Sequence, residues 1–312
     1  MQRQEVERDG RRVAVWTDAA ATVHAPLVAL HGGPGFTHAY LTAAFAAEFG
    51  RPSVYFDWPG CGDSSRHPGS GYPLADYIAD LEAVRTAVRA ERMVLAAHAW
   101  GAIPAIEYAI AHPGRCAGLV LVNPLRVLTG AGQDHEALLR RVAAVDPAVT
   151  RDFMTEVAPL IERALGGDAS AWARIDASPW WARMWKTQFM RPPPATWSNA
   201  VAQPGWGLES YYAHKGQAMA VPDGPLASYD LAQRAAGLAC PTLIIASDSD
   251  ANYVSPLRAH AAPLHAVMAG STLEVLPDTG HFPFVECPQA YRSLVAGFLP
   301  RVAHESPEHR PA

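Results

Sequence analysis

The chain has 312 residues, is 49% hydrophobic and 18% charged, and carries a net charge of -5 with a pI near 6.2. That is enough chain for a sizeable apolar core, as one large domain or a core with an insertion. No Lys/Arg-rich run or basic stripe is present, which argues against nucleic acid as a partner, and no apolar stretch approaches the roughly 18 residues of a membrane span.

The polar start, MQRQEVERDG, has no apolar signal core. In VERDGRRVAVWT, two alternating runs flank Asp9-Gly10, a tight-turn pair, and predict a hairpin. Short apolar runs follow: PLVALHGGPG (26–35), SVYFDWPG (53–60), MVLAAHA (93–99) and GLVLVNP (118–124). Between them, YPLADYIADLEAVRTAVRAE and AIPAIEYAIAHP have helical periodicity. Continuous apolar strands alternating with helices predict an α/β fold whose parallel sheet is covered on both faces. From about 126 to 234 the chain reads helical, Trp-rich and Pro-interrupted, too long for an ordinary loop. Strands resume with PTLIIASDSD (241–250) and STLEVLPDTGH (271–281), and a last helix spans roughly 288–300. The expected organisation is a core of 1–125 plus 235–312, with a helical cap over 126–234 and a frayed tail at about 303–312. The four cysteines (61, 116, 240 and 287) lack metal-ligand spacing and read as isolated thiols of a cytoplasmic protein.

Four segments carry the chemistry. HGGPG (31–35) follows a buried strand, and its glycines let backbone N–H groups point into a pocket, where they can stabilise an oxyanion. Ala97-His98-Ala99-Trp100-Gly101 stands between strand and helix, where a G-x-S-x-G nucleophile elbow would stand. The nucleophile position holds Ala99. Asp250 and His281 follow two later strands, in the chain order nucleophile, acid, histidine. A carboxylate would hold the imidazole in one tautomer while the imidazole takes the nucleophile's proton. Asp248 competes for the acid role, but Asp250 is preferred because the strand should end before it.

On these residues the sequence resembles the α/β-hydrolase superfamily and, within it, the proline iminopeptidase-like serine hydrolases. The matching segments are LHGGPG, FDWPGCGDSS, ADYIADLEAVR, AHAWGAIPAIEYAIAHP, CPTLIIASDSD and TGHFPFVECP. The resemblance implies a mostly parallel twisted sheet flanked by helices, with an inserted helical cap. It implies oxyanion donors at the amides of Gly33 (or Gly32) and Trp100. Neither a cofactor nor a metal is implied, and the expected partner is a small-molecule substrate. LESYY (208–212) resembles a cap segment that holds a substrate amine, with Glu209 as the anchor. A second anchoring Glu usually follows a cap Trp, whereas Trp185 is followed here by Lys186. That swapped charge disfavours an amine and suits a carboxylate or phenolate. Six of nine tryptophans (172, 180, 181, 185, 197 and 206) lie in the cap. Most are expected to pack its helices, with one or two lining a pocket for an apolar or aromatic substrate.

Three readings of Ala99 compete. It is an engineered Ser→Ala change that disables a serine hydrolase of esters, amides or related acyl bonds so that it traps substrate. Or His281–Asp250 serves as a general base without a covalent intermediate, in a lyase, cyclase or cofactor-free oxygenase. Or the capped pocket only binds ligand. The intact machinery around Ala99 favours the first.

Overall fold

Among the described residues eight strands make one sheet: β1 (Gln2–Arg8), β2 (Arg11–Thr17), β3 (Leu27–Leu30), β4 (Ser53–Phe56), β5 (Met93–His98), β6 (Cys116–Val122), β7 (Thr242–Ser247) and β8 (Ser271–Leu276). Their order is β1-β2-β4-β3-β5-β6-β7-β8, antiparallel at β1–β2 and β2–β4 and parallel from there on. The computed structural model describes residues 1–18, 24–33, 35–42, 44, 49–67, 71–126, 140, 142–187, 189–190, 207–215, 224–250 and 260–303. The last ten residues of the expected tail lie outside this set except for Ala303.

The hairpin turn is where the sequence places it. Asp9 and Gly10 both have positive φ, 50° and 73°, as the tight turn that matches the twist of the flanking strands requires. Every residue of β3, β4, β5, β6 and β7 is buried, because both faces of the sheet are covered and alternation has no solvent side to report. The period of two survives inside the core. Leu27 and Ala29 join one apolar cluster, with the last helix (Pro288–Ala303), while Val28 and Leu30 join the other, with helices α1 (Leu74–Ala87) and α2 (Ala102–Ala111).

Among the described residues between β6 and β7 the regular elements are helical, including Ala158–Leu165, Ala169–Asp176, Trp180–Lys186 and Leu208–Lys215. Trp172, Trp180 and Trp181 are buried here. Trp180 Nε1 donates to the Val149 carbonyl at 2.7 Å and Trp181 Nε1 to that of Ile175 at 2.8 Å, so these rings pack the helices together. Trp197, Trp206 and the Trp185 side chain lie outside the described residues. No described helix is long and apolar enough to cross a membrane.

The hairpin is tied to α1 by charge. Arg11 reaches both oxygens of fully buried Asp80 at 3.0 Å, and Arg8 pairs with the same carboxylate. Removing one partner of a buried pair strands the other, at roughly 3–5 kcal/mol. Asp80→Ala should therefore lower unfolding free energy by about that amount in urea titration. A loss below about 1 kcal/mol would mean the pair contributes no more than a surface contact.

Candidate active site

β5 ends at His98, a 3-10 turn covers Ala99–Gly101, and α2 begins at Ala102. Ala99 has φ +52°, a left-handed conformation that costs a residue with a Cβ about 1–2 kcal/mol. Packing holds it there. A Cβ on Gly101 would lie 2.7 Å from the Leu30 carbonyl oxygen and 2.9 Å from that of His31. A Cβ on Gly32 would lie 3.1 Å from both the Ala99 Cβ and the His98 carbonyl oxygen. The two glycines let the end of β3 and the turn after β5 approach this closely. Ala97, where the motif has its first glycine, is fully buried.

Two residues after the ends of neighbouring strands meet beside this turn. His281 Nδ1 lies 2.6 Å from Asp250 Oδ2, and both side chains are buried. A carboxylate at Nδ1 favours the tautomer with its proton there, the arrangement in which Nε2 would be able to accept one. Asp248, the competing acid, is exposed and accepts from Ser249 Oγ at 2.8 Å. Asp250 is thus the acid in contact with the histidine.

The main chain of His281 is held as well. Its carbonyl oxygen accepts from His98 Nε2 at 2.9 Å and from Asn123 Nδ2 at 3.0 Å. Asn123, just past β6 with φ +44°, also donates to Ser247 Oγ at 3.0 Å and accepts from the Ser247 amide at 2.7 Å. On its other side His98 Nδ1 lies 2.9 Å from the Tyr40 hydroxyl, which accepts from the Gly32 amide at 2.8 Å. Donors therefore run one way: Gly32 N–H to Tyr40, Tyr40 O–H to His98 Nδ1, His98 Nε2–H to the His281 carbonyl. This polarity needs a neutral His98. Burial, reinforced by the neighbouring His281, pushes its imidazole well below the usual histidine range. Tyr40, His98 and Asn123 were not singled out by sequence. His98 occupies an unspecified position of the elbow motif, and Asn123 stands at the end of an apolar run.

The same hydrogen bonds distinguish the two amides expected as alternative oxyanion donors. The Gly32 amide is occupied by Tyr40, whereas Gly33, at φ +117°, makes no amide hydrogen bond among the described residues. Trp100 lies in the first turn after the strand, where amides lack intrahelical partners. Its ring packs between Tyr77 and His214, with centroids 5.1 and 5.3 Å away. His31 points elsewhere: Nδ1 donates to the Gly32 carbonyl at 3.1 Å and Nε2 accepts from the Trp58 amide at 3.0 Å.

Of the expected cap residues, Glu209 lies at the start of Leu208–Lys215 and pairs with Arg66 from the β4–α1 connection. Arg66 also reaches Asp176 at 3.1 Å. Burial pushes the Asp176 carboxyl up to about 7, against the Leu208 amide and Arg66, which favour its charge. Lys186 is exposed. Phe189 stacks on Phe282, next to His281, at 4.8 Å between centroids. Among the described residues no cluster of His, Cys, Asp and Glu could hold a metal.

Residues 25–288 match the family model described as alpha/beta hydrolase fold. A proline iminopeptidase of Lactiplantibacillus plantarum is 28% identical over 290 residues, covering 90% of this chain and 93% of the relative. Among solved structures, VinJ superposes with a TM-score of 0.71 at 20% identity, over 96% of this chain and 99% of its own. A proline iminopeptidase from Mycobacterium smegmatis superposes with a TM-score of 0.68 at 22% identity, over 97% and 99%.

Tyr40→Phe removes one hydroxyl and unpairs two buried groups, the Gly32 amide and His98 Nδ1. It should cost about 2–4 kcal/mol by urea unfolding, and a cost within about 0.5 kcal/mol of zero would refute the chain. Asp176 gives a pH prediction. Its folded pKa is raised, so its share of stability is complete below about pH 4 and is lost as pH rises through about 7. The loss is on the order of 4 kcal/mol. Asp176→Asn should therefore gain on the wild type as pH goes from 4.5 to 7.5, as read from paired urea midpoints. An equal difference at both pH values would show that Asp176 does not titrate in this window.

Proposed function

Because the chain belongs to the alpha/beta hydrolase fold family and is proline iminopeptidase-like within it, we propose that it is a serine hydrolase scaffold disabled at its nucleophile. One observation carries the reading. Ala99 keeps the strained elbow, φ +52°, although its methyl performs no chemistry, and the 2.6 Å His281–Asp250 contact remains beside it. Strain of this kind concentrates at functional turns.

With serine at 99 the reaction is acyl transfer. The hydroxyl oxygen attacks the carbonyl carbon, and His281 Nε2 takes its proton. The amides of Gly33 and Trp100 hold the resulting oxyanion, and Asp250 steadies the imidazolium. His281 then returns the proton to the leaving group, and water releases the acyl group by the same route. With Ala99 the covalent step is absent, and the protein binds substrate with little turnover.

The substrate proposed is a small, apolar or aromatic ester, amide or related acyl compound. Phe189, Phe282 and Tyr40, clustered around His98 and His281, support this class. Glu209 is already neutralised by Arg66, which weighs against an amine anchor there and so against a true iminopeptidase. The helical segment 126–234 is read as the cap over this site, on a core of 1–125 and 235–312, and the protein as cytoplasmic.

The test is Ala99→Ser, assayed with aryl esters, aminoacyl-arylamides and a fluorophosphonate probe. The serine form should label covalently and hydrolyse at least ~10³-fold faster than the alanine form, and His281→Ala in the serine background should abolish the gain. A folded but unlabelled and inert serine form would sink the proposal. It would leave His281–Asp250 as a general base on an acidic substrate proton, in a lyase, cyclase or cofactor-free oxygenase, or a binding site without turnover.

A further inference from the structure

The cysteines read as isolated in sequence are not all isolated in space. Cys116 is the first residue of β6, and Cys240 lies two positions before β7. Both therefore sit at the N-terminal edge of the parallel sheet, opposite the end that carries His98 and His281. Their sulfurs are 3.5 Å apart, and both are free thiols. A disulfide bond is 2.03–2.05 Å long, so closure needs an approach of only about 1.5 Å. The backbones already run side by side here, with the Leu119 amide donating to the Pro241 carbonyl at 2.9 Å. The two thiols differ in access. Cys116 is buried, and its contact with Cys240, together with burial, holds its thiol well above the ordinary range. Cys240 is partly exposed.

We propose that Cys116 and Cys240 are a redox modification site that closes to a reversible disulfide, with a hydroperoxide as oxidant. The Cys240 thiolate attacks the peroxide. An S–O bond forms, the O–O bond breaks, and Cys240 becomes a sulfenic acid, while the departing hydroxide takes up the proton the Cys240 thiol had released and leaves as one water. The Cys116 sulfur then attacks Cys240 Sγ. The S–S bond forms, the S–O bond breaks, and the departing hydroxide takes the Cys116 proton and leaves as a second water. Two thiols lose two electrons and hydrogen peroxide gains them, and an external dithiol reverses the change by exchange. The bond would join positions 124 apart, enclosing β6 and the whole segment between β6 and β7 and tying the N-terminal ends of these two neighbouring strands together.

The experiment treats the folded full-length protein with a small excess of hydrogen peroxide, blocks free thiols by alkylation before unfolding, and reads intact mass and peptide linkage. The expected product has lost about 2 Da, links residues 116 and 240, and reverts with a dithiol. In Cys116→Ser, Cys240 should stop at a sulfenic acid that dimedone traps, and in Cys240→Ser, Cys116 should stay reduced. The proposal is overturned if both thiols remain alkylatable, if Cys240 proceeds to sulfinic acid while Cys116 stays free, or if the bridge forms with Cys61 or Cys287.

Discussion

One carbonyl oxygen, that of His281, organises the site. It sits in a loop past the end of β8, where a chain without partners would drift. Two side chains from neighbouring strand ends hold it, His98 from β5 and Asn123 from just past β6. Each bond contributes about 1 kcal/mol net, but leaving a buried partner unmade costs more than making it gains. The constraint is directional too. Because Tyr40 must donate to His98 Nδ1 and accept from Gly32, a proton added to Nδ1 would face a hydroxyl that no longer has a place for its own hydrogen. A charge on His98 would also lie buried beside His281. The turn after β3, the turn after β5 and the loop after β8 are thus set by a single neutral tautomer.

The second constraint is close approach. Gly101 and Gly32 bring backbone against backbone at the ends of β3 and β5, and Ala99 takes the left-handed conformation that this approach imposes. A Cβ at 32 would crowd the one at 99, so this approach confines position 32 to glycine. The main-chain bond from the Leu125 amide to the Ala99 carbonyl at 3.1 Å fixes the turn from the far side. The strain is thus carried by neighbours on three strands, and none of it depends on what the side chain at 99 can do.

The sheet was legible because its signals are local. Apolar runs of four to seven residues bounded by Gly and Pro mark β3 to β7, and Asp9-Gly10 marks the hairpin. The chain order of Ala99, Asp250 and His281 was legible as a motif, and the structure brings the last two into contact. What could not be read were pairings that no local period encodes. Tyr40 meets His98 across 58 positions, Arg66 meets Glu209 across 143, and Cys116 meets Cys240 across 124. Such contacts depend on which strands become neighbours, and the order β4-β3-β5-β6-β7 is a property of the folded sheet. His98 illustrates the limit. Its type is visible in the motif, but its role follows only from a tyrosine, an asparagine and a carbonyl supplied by three other segments.

The turn at Ala99 has a consequence in the language of genes. Alanine and serine codons of the form GCN and TCN differ by a single base. The contacts at Gly32 and Gly101 that hold this conformation involve backbone atoms and the Cβ of residue 99, which alanine and serine share, so exchanging the two removes none of them. Selection acting on stability is then blind to the substitution, and only selection acting on chemistry can see it. A lineage carrying this scaffold can drop or regain a hydroxyl at the tip of its elbow in one mutational step, without an unstable intermediate and without compensating changes elsewhere.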